Sequence, residues 1–279
     1  MTGFGSSKNT VMHVPLFHID AFTSKIFGGN PAAVCPLERW PEDGLLRAIA
    51  AENNLSETAY FVAHGEDYAL RWFTRRCEVN LCGHATLASG FVILSILEQK
   101  RESVRFETRS GALTVSRQGE LLSMDFPALP TWTGPNPPAE LASGLQSTRD
   151  PIAVRQINVR QIKDNYFVVY ESEDAVRSIT PNLAVLEKLH PFGVAITAPG
   201  KDSDYVSRYF APSYGIPEDP VTGSIHCSLA PYWGERLGKK HLHARQVSDR
   251  SGEMWCELAG ERVIIKGQAV LSLQGSMSI

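Results

Sequence analysis

Three side chains in this sequence have the chemistry to move a proton: Glu57, His84 and Asp219. Glu57 lies in NNLSETAYFV, where a predicted helix hands over to a strand just ahead of an apolar run. A glutamate of ordinary pKa about 4.3 reaches roughly 6–7 on burial and then works as a general acid or base. A solvent-facing glutamate at a strand edge fits the same position. The matching stretch of the second half, GVAITA, offers no acid. His84 follows Gly83 directly and reads either as a hydrogen-bond donor or proton carrier, or as a helix-start histidine that bonds locally. Asp219 precedes Pro220 in EDPVTGS. It either opens an Asp-Pro turn or sits where it bonds a polar substrate group.

Two glycines accompany these residues. Cys-Gly-His at 82–84 and Thr-Gly-Ser at 222–224 are each predicted to open a helix after a loop. A helix start presents unpaired N–H groups and a partial positive charge, and glycine lets a ligand come close to the backbone. Two such ends converging on one cleft would hold a carboxylate with no Lys or Arg. A tight turn before each helix explains each glycine alone; their paired occurrence favours the anion-binding reading.

Other chemistry has little support. There is no HExxH, GxSxG or P-loop, and the only GxG is Gly3-Phe4-Gly5 in a Gly/Ser/Asn-rich start expected to be a loose tail. His241 and His243 lie two apart on a predicted strand with no third ligand in view. The five cysteines, Cys35, Cys77, Cys82, Cys227 and Cys256, follow no metal or disulfide spacing. No metal and no cofactor are therefore expected. A net charge of −3 implies no nucleic-acid partner. Without a secretory start or a run of 18 apolar residues, no membrane partner and a reduced cytoplasmic setting are expected.

The elements that must position these groups come in two copies. DYALRWFT (Asp67 to Thr74) returns as DYVSRYFA (Asp204 to Ala211) at an offset of 137, and Gly83 returns as Gly223 at 140. Such a duplicated strand–loop–glycine–helix unit predicts two similar halves with a cleft between them. The first half reads as strands at Val11–Phe22, Thr58–Ala63, Tyr68–Thr74, Val104–Thr108, Ala112–Ser116 and Leu121–Phe126. A helix is predicted over Pro41–Asn53, with the Asn-Asn pair at 53–54 as its stop. Ala85–Gln99 is apolar nearly all round, which predicts a helix buried inside a curved sheet. PALPTWTGPNPP, residues 127–138, holds five prolines and reads as the linker between domains 1–126 and 127–261. The second half repeats the order: a strand at Tyr166–Tyr170, a helix near Pro181–Leu189, strands at 193–198 and 204–211, then a helix that Pro231 is expected to end or kink.

Four motifs in this order, DAFTSKIFGGNPAAV, NNLSETAYFV, EVNLCGHATLASG and GIPEDPVTGS, resemble the phenazine-biosynthesis isomerase-like family. The resemblance implies an α+β, diaminopimelate-epimerase-like fold. In it, two pseudo-symmetric domains each wrap a curved, mostly antiparallel, barrel-like sheet around a central helix, and the last strand (about 262–279) packs on the first domain. It implies a homodimer and a cofactor-free isomerisation of a small carboxylate substrate in which a glutamate moves a proton between carbons. Residue by residue it carries the acid/base role onto Glu57 and substrate contacts onto Asn30, Gly83, His84, Asp219, Gly223 and Ser224. Related amino-acid epimerases use two facing cysteines; Cys82 holds the first such place and Thr222 the second, which argues against racemisation. The remaining rival is a ligand-binding or scaffold protein that kept the fold.

Overall fold

The computed structural model describes residues 12–129, 131–133, 136–158 and 164–279. The expected N-terminal tail and parts of the proline-rich linker lie outside these residues. The strands form one continuous hydrogen-bonded path. It runs Ala269–Ser278, His13–Ala21, Asn30–Leu37, Glu57–His64, Asp67–Phe73, Ser103–Thr108, Gly111–Gln118 and Leu121–Pro127. There it crosses to Arg262–Gly267 and continues through Gly252–Ala259, His241–Gln246, Tyr205–Ala211, Gly193–Pro199, Asp164–Val169, Ala153–Asn158 and Thr131–Trp132. The pairing is antiparallel except at four steps, and those four fall at matching places in the two halves: Asn30–Leu37 with Glu57–His64, Asp67–Phe73 with Ser103–Thr108, Asp164–Val169 with Gly193–Pro199, and Tyr205–Ala211 with His241–Gln246. Arg262–Gly267 joins the halves, while Ala269–Ser278 returns to the first strand.

The duplication in the sequence is a duplication in side-chain contacts. Arg71 makes a two-pronged ion pair with Glu78 at 2.7 and 2.8 Å, and Arg208 makes the same pair with Glu218 at 2.8 and 2.9 Å. Arg208 lies 137 residues after Arg71 and Glu218 lies 140 after Glu78, the two offsets read from the sequence. Each guanidinium also sits 5.0 Å from a ring centre, Phe73 in one half and Phe210 in the other. Because a forked pair fixes direction as well as distance, each one ties the strand to the loop that ends at a glycine and a buried helix.

In the first half that helix is Gly83–Phe91, buried along nearly its whole length and touching strands on several sides of the curved sheet. It does not run on as an α-helix to Gln99. Val92–Leu97 is a π-helix, closed by the Glu98 N–H on the Ile93 carbonyl five residues back at 2.6 Å, with the Arg117 guanidinium donating to the Leu94 carbonyl. A side chain that takes a helix carbonyl is a known cause of such widening. In the second half a 3-10 turn, Gly223–Ile225, leads into helix His226–Leu237. Here Pro231 does not end the helix, which passes through it. Proline cannot bond the carbonyl four residues back, that of Cys227, but the Leu129 N–H takes this carbonyl at 2.8 Å. The broken bond is thus replaced from the segment that links the halves.

The core of both half-barrels is continuous, with Trp72, Phe106, Trp233 and Tyr205 among its fully buried side chains. Smaller clusters sit under the outer helices. Leu46, Ile49 and Ala50 of Asp43–Asn53 pack on Tyr60 and Phe73. Leu141 and Leu145 of Ala139–Leu145 and Val176 of Glu173–Ser178 pack on the second sheet. The helix expected near 181–189 is only Leu183–Leu186 plus a 3-10 turn, with Asn182 accepting from the Val185 N–H. No helix among the described residues is long and apolar enough to cross a membrane.

Candidate active site

Four chain segments deliver the site. Helix Asp43–Asn53 stops where Asn54 adopts a left-handed conformation (φ 51°) with its N–H on the Ala50 carbonyl, as the Asn-Asn pair predicted. That reversal delivers Glu57 as the first residue of its strand, paired beside Ala32. Asn30 begins the neighbouring strand, His84 is the second residue of the buried helix, and Asp219 ends the short strand Ile216–Asp219.

The structure gathers these groups from both halves. Asn30 Nδ2 donates to Asp219 Oδ1 and to the Val221 carbonyl, both at 2.8 Å, and lies 3.3 Å from His84 Nδ1. His84 Nε2 faces Glu57 Oε2 at 3.4 Å. Cys82 Sγ is 3.5 Å from His84 Nδ1. Thr222 Oγ1 donates to Asp219 Oδ2 at 2.5 Å, so both oxygens of Asp219 are held. Sequence reasoning missed Gln246. Fully buried, it donates through Nε2 to the Asp219 carbonyl (2.6 Å) and accepts at Oε1 from the Thr222 N–H (2.8 Å). The one signal for it was alternation: Leu242, Ala244 and Gln246 share the inward face of a strand, and the last is polar.

Burial sets the protonation states. Glu57, His84 and Asp219 are at most 9 % exposed. Desolvation, helped by the Asp219 charge and opposed by a hydrogen bond from Cys82, pushes Glu57 up to about 8. Desolvation also carries Asp219 to about 6 against the bonds from Thr222 and Asn30, and lowers His84 to about 3. Near neutrality His84 is uncharged and Glu57 largely keeps its proton, so their contact is not an ion pair. Nδ1 faces the Asn30 amide and the Cys82 thiol, and Nε2 faces the Glu57 carboxyl, so the neutral ring has a polar group at each nitrogen. Neither His84 Nε2 nor Glu57 Oε2 has a hydrogen-bond partner among the described residues.

The two glycines differ in surroundings. A Cβ on Gly83 would meet no atom within 4 Å, and its φ is not positive, so neither packing nor backbone geometry demands glycine there. A Cβ on Gly223 would lie 3.3 Å from the Phe22 ring. Ser224 is exposed at the edge of the group, unlike its neighbours. Asn30 is wholly buried and its amide hydrogens serve Asp219 and Val221; only Oδ1 is without a partner. The cavity of about 180 Å³ beside Phe22, Lys25, Gly28 and Arg250 includes none of these residues. Glu57, His84 and Asp219 are buried, while Gly83 is half-buried and Ser224 exposed. Cysteine spacing along the chain showed no metal pattern, yet in space donor atoms of Glu57, Cys82 and His84 all lie within 4.8 Å of one another.

Paired half-barrels around buried helices, with polar groups gathered between them, define a diaminopimelate-epimerase-like protein, and the comparisons agree. The family model described as "Phenazine biosynthesis-like protein" matches residues 19–275. The chain belongs to that family. Two Pseudomonas aeruginosa proteins, each named as an uncharacterized isomerase, are 46% and 47% identical over 96% of this chain and 100% of their own. The crystal structure of a family protein from Enterococcus faecalis superposes with a TM-score of 0.89 at 41% identity, covering 96% of this chain and 100% of that one. The protein is thus an enzyme of the isomerase class in this family.

Proposed function

We propose that the protein is a cofactor-independent isomerase that shifts a proton on a small carboxylate substrate, with Glu57 as acid and base. The observation that carries this reading is a buried carboxyl, raised to about 8, with one oxygen unpartnered and facing Nε2 of a neutral imidazole. In its ionised form Glu57 takes a proton from a carbon next to an alkene or carbonyl. The C–H electron pair becomes a new double bond, the old double bond shifts, and Glu57 returns the proton to its far carbon. With its ring proton on Nε2, neutral His84 steadies the charge that builds up instead of competing as a base. N–H groups around Gly83–His84 and Gly223–Ser224 hold the substrate carboxylate, and the open space over Gly83 admits it. Asp219 holds Asn30 and Thr222 and so fixes the wall opposite Glu57.

Racemisation with two facing bases is less well supported: Thr222 holds the place before the second glycine that Cys82 holds before the first, and its hydroxyl is committed to Asp219. The test is proton NMR in D₂O with dihydro-hydroxyanthranilate and a panel of unsaturated and amino carboxylates. Wild type is expected to place deuterium on one carbon of a panel member, and Glu57→Gln to slow this at least 100-fold, within the ~10²–10⁴ range of general acid/base catalysis. Equal exchange by wild type and variant would remove Glu57 from the mechanism.

A further inference from the structure

The Glu57–Cys82–His84 cluster offers an oxygen, a sulfur and a nitrogen donor, all drawn from buried residues, at mutual distances a small metal ion can span. In a tetrahedral zinc site, Zn–S of about 2.3 Å and Zn–N of about 2.0–2.1 Å set the sulfur and nitrogen about 3.6 Å apart. Cys82 Sγ and His84 Nδ1 are already 3.5 Å apart. A carboxylate oxygen of Glu57 lies within 4.8 Å of the sulfur and of a ring nitrogen of His84, and Oε2 is 3.4 Å from Nε2, so a side-chain movement of Glu57 completes three ligands. Two features favour a ligand here over a merely packed cluster. Glu57 Oε2 is buried and unpartnered. In addition, the sequence places glycine, with open space before it, between the cysteine and the histidine.

We propose that Glu57, Cys82 and His84 form a binding site for a thiophilic divalent cation, Zn²⁺ above all, that blocks the isomerase. Binding exchanges the Cys82 S–H proton, released to solvent, for a Zn–S bond. His84 Nδ1 gives its lone pair and keeps the Nε2 proton, and Glu57 supplies the third ligand. The fourth position stays open to water, as in zinc sites with three protein ligands. The soft sulfur selects Zn²⁺, Cd²⁺ and Co²⁺ over Mg²⁺ and Ca²⁺. Loss of activity on binding follows only if Glu57 is the acid/base; binding itself does not depend on that reading.

The experiment is equilibrium dialysis of the full-length protein with ZnCl₂, and optical titration with CoCl₂, for wild type and Cys82→Ser. The wild type is expected to bind one Zn²⁺ tightly, to show a cobalt–thiolate charge-transfer band, and to release at least one proton per metal. Cys82→Ser, with an unchanged circular dichroism spectrum, is expected to lose the band and to weaken that site by about 100-fold or more. The pair His241 and His243, which lies apart from any cysteine of the cluster, gives no thiolate band, so a His241→Ala/His243→Ala double variant retains it. Equal zinc binding by wild type and Cys82→Ser, or no thiolate band in the wild type, overturns the proposal. Deuterium exchange by the metal-free wild type separates that failure from a failure of the Glu57 mechanism.

Discussion

Glu57 is held against its own ionisation, and that has a thermodynamic signature. Its pKa rises on folding from near 4.5 to about 8, so between those values the folded protein binds the extra proton. Stability therefore falls as pH rises through this window. Asp219, raised to about 6, adds a loss of the same sign that is complete sooner. His84 and His226, both lowered to about 3 by burial, act oppositely: their contribution is present above about 6.5 and is lost as pH falls toward 3. Between pH 6 and 8 the stabilities of wild type and Glu57→Gln, read from thermal melts, should change relative to each other by about 2.7 kcal/mol, at about 1.36 kcal/mol per unit. The same pH dependence in wild type and Glu57→Gln would place the titrating group elsewhere. At this scale the sequence named Glu57, His84 and Asp219, because proton chemistry is written in residue type. It did not name Gln246, whose role lies in bonds to backbone groups 24 and 27 positions away.

At the scale of elements, the duplicated strand–loop–helix unit was legible because apolar period and offset survive in the chain itself. The twin ion pairs were not, since Arg71–Glu78 and Arg208–Glu218 look like surface charges until the strands twist them together. Glu218 directly precedes Asp219, so its pair with Arg208 sets where Asp219 leaves the strand. Glu218→Gln removes one charge from a largely buried pair and leaves Arg208 with the Val176 and Ile179 carbonyls. The expected cost is about 1–3 kcal/mol in urea unfolding, in the range of hydrogen bonds to charged groups, and an unchanged midpoint would contradict it. Pro231 shows the opposite case, a local rule overruled: its missing N–H matters only until Leu129 supplies one. The π-helix after Phe91 was equally hidden, because its cause, Arg117, arrives from a strand beyond it.

At the scale of the whole molecule, the site exists only because the two halves close on it. Asn30 reaches across to Asp219 and Val221, and Arg250 reaches back to Asp20 at 2.7 Å and to the Gly28 and Gly29 carbonyls at 2.8 and 2.9 Å. The Gly29 N–H on the Ser251 carbonyl and the Glu253 N–H on the Phe22 carbonyl complete the seam. None of these pairs is readable from the chain, since partners about 190–230 residues apart carry no local pattern. The same closure keeps the proton on Glu57, so the central claim can be tested without knowing the substrate. Protein labelled with ¹³C at glutamate side-chain carboxyls is titrated by NMR beside Glu57→Gln. One signal, absent from the variant, should titrate near pH 8, well above the other glutamates. If the missing signal instead titrates near 4.5, Glu57 is an ordinary ionised carboxylate and the acid/base account fails.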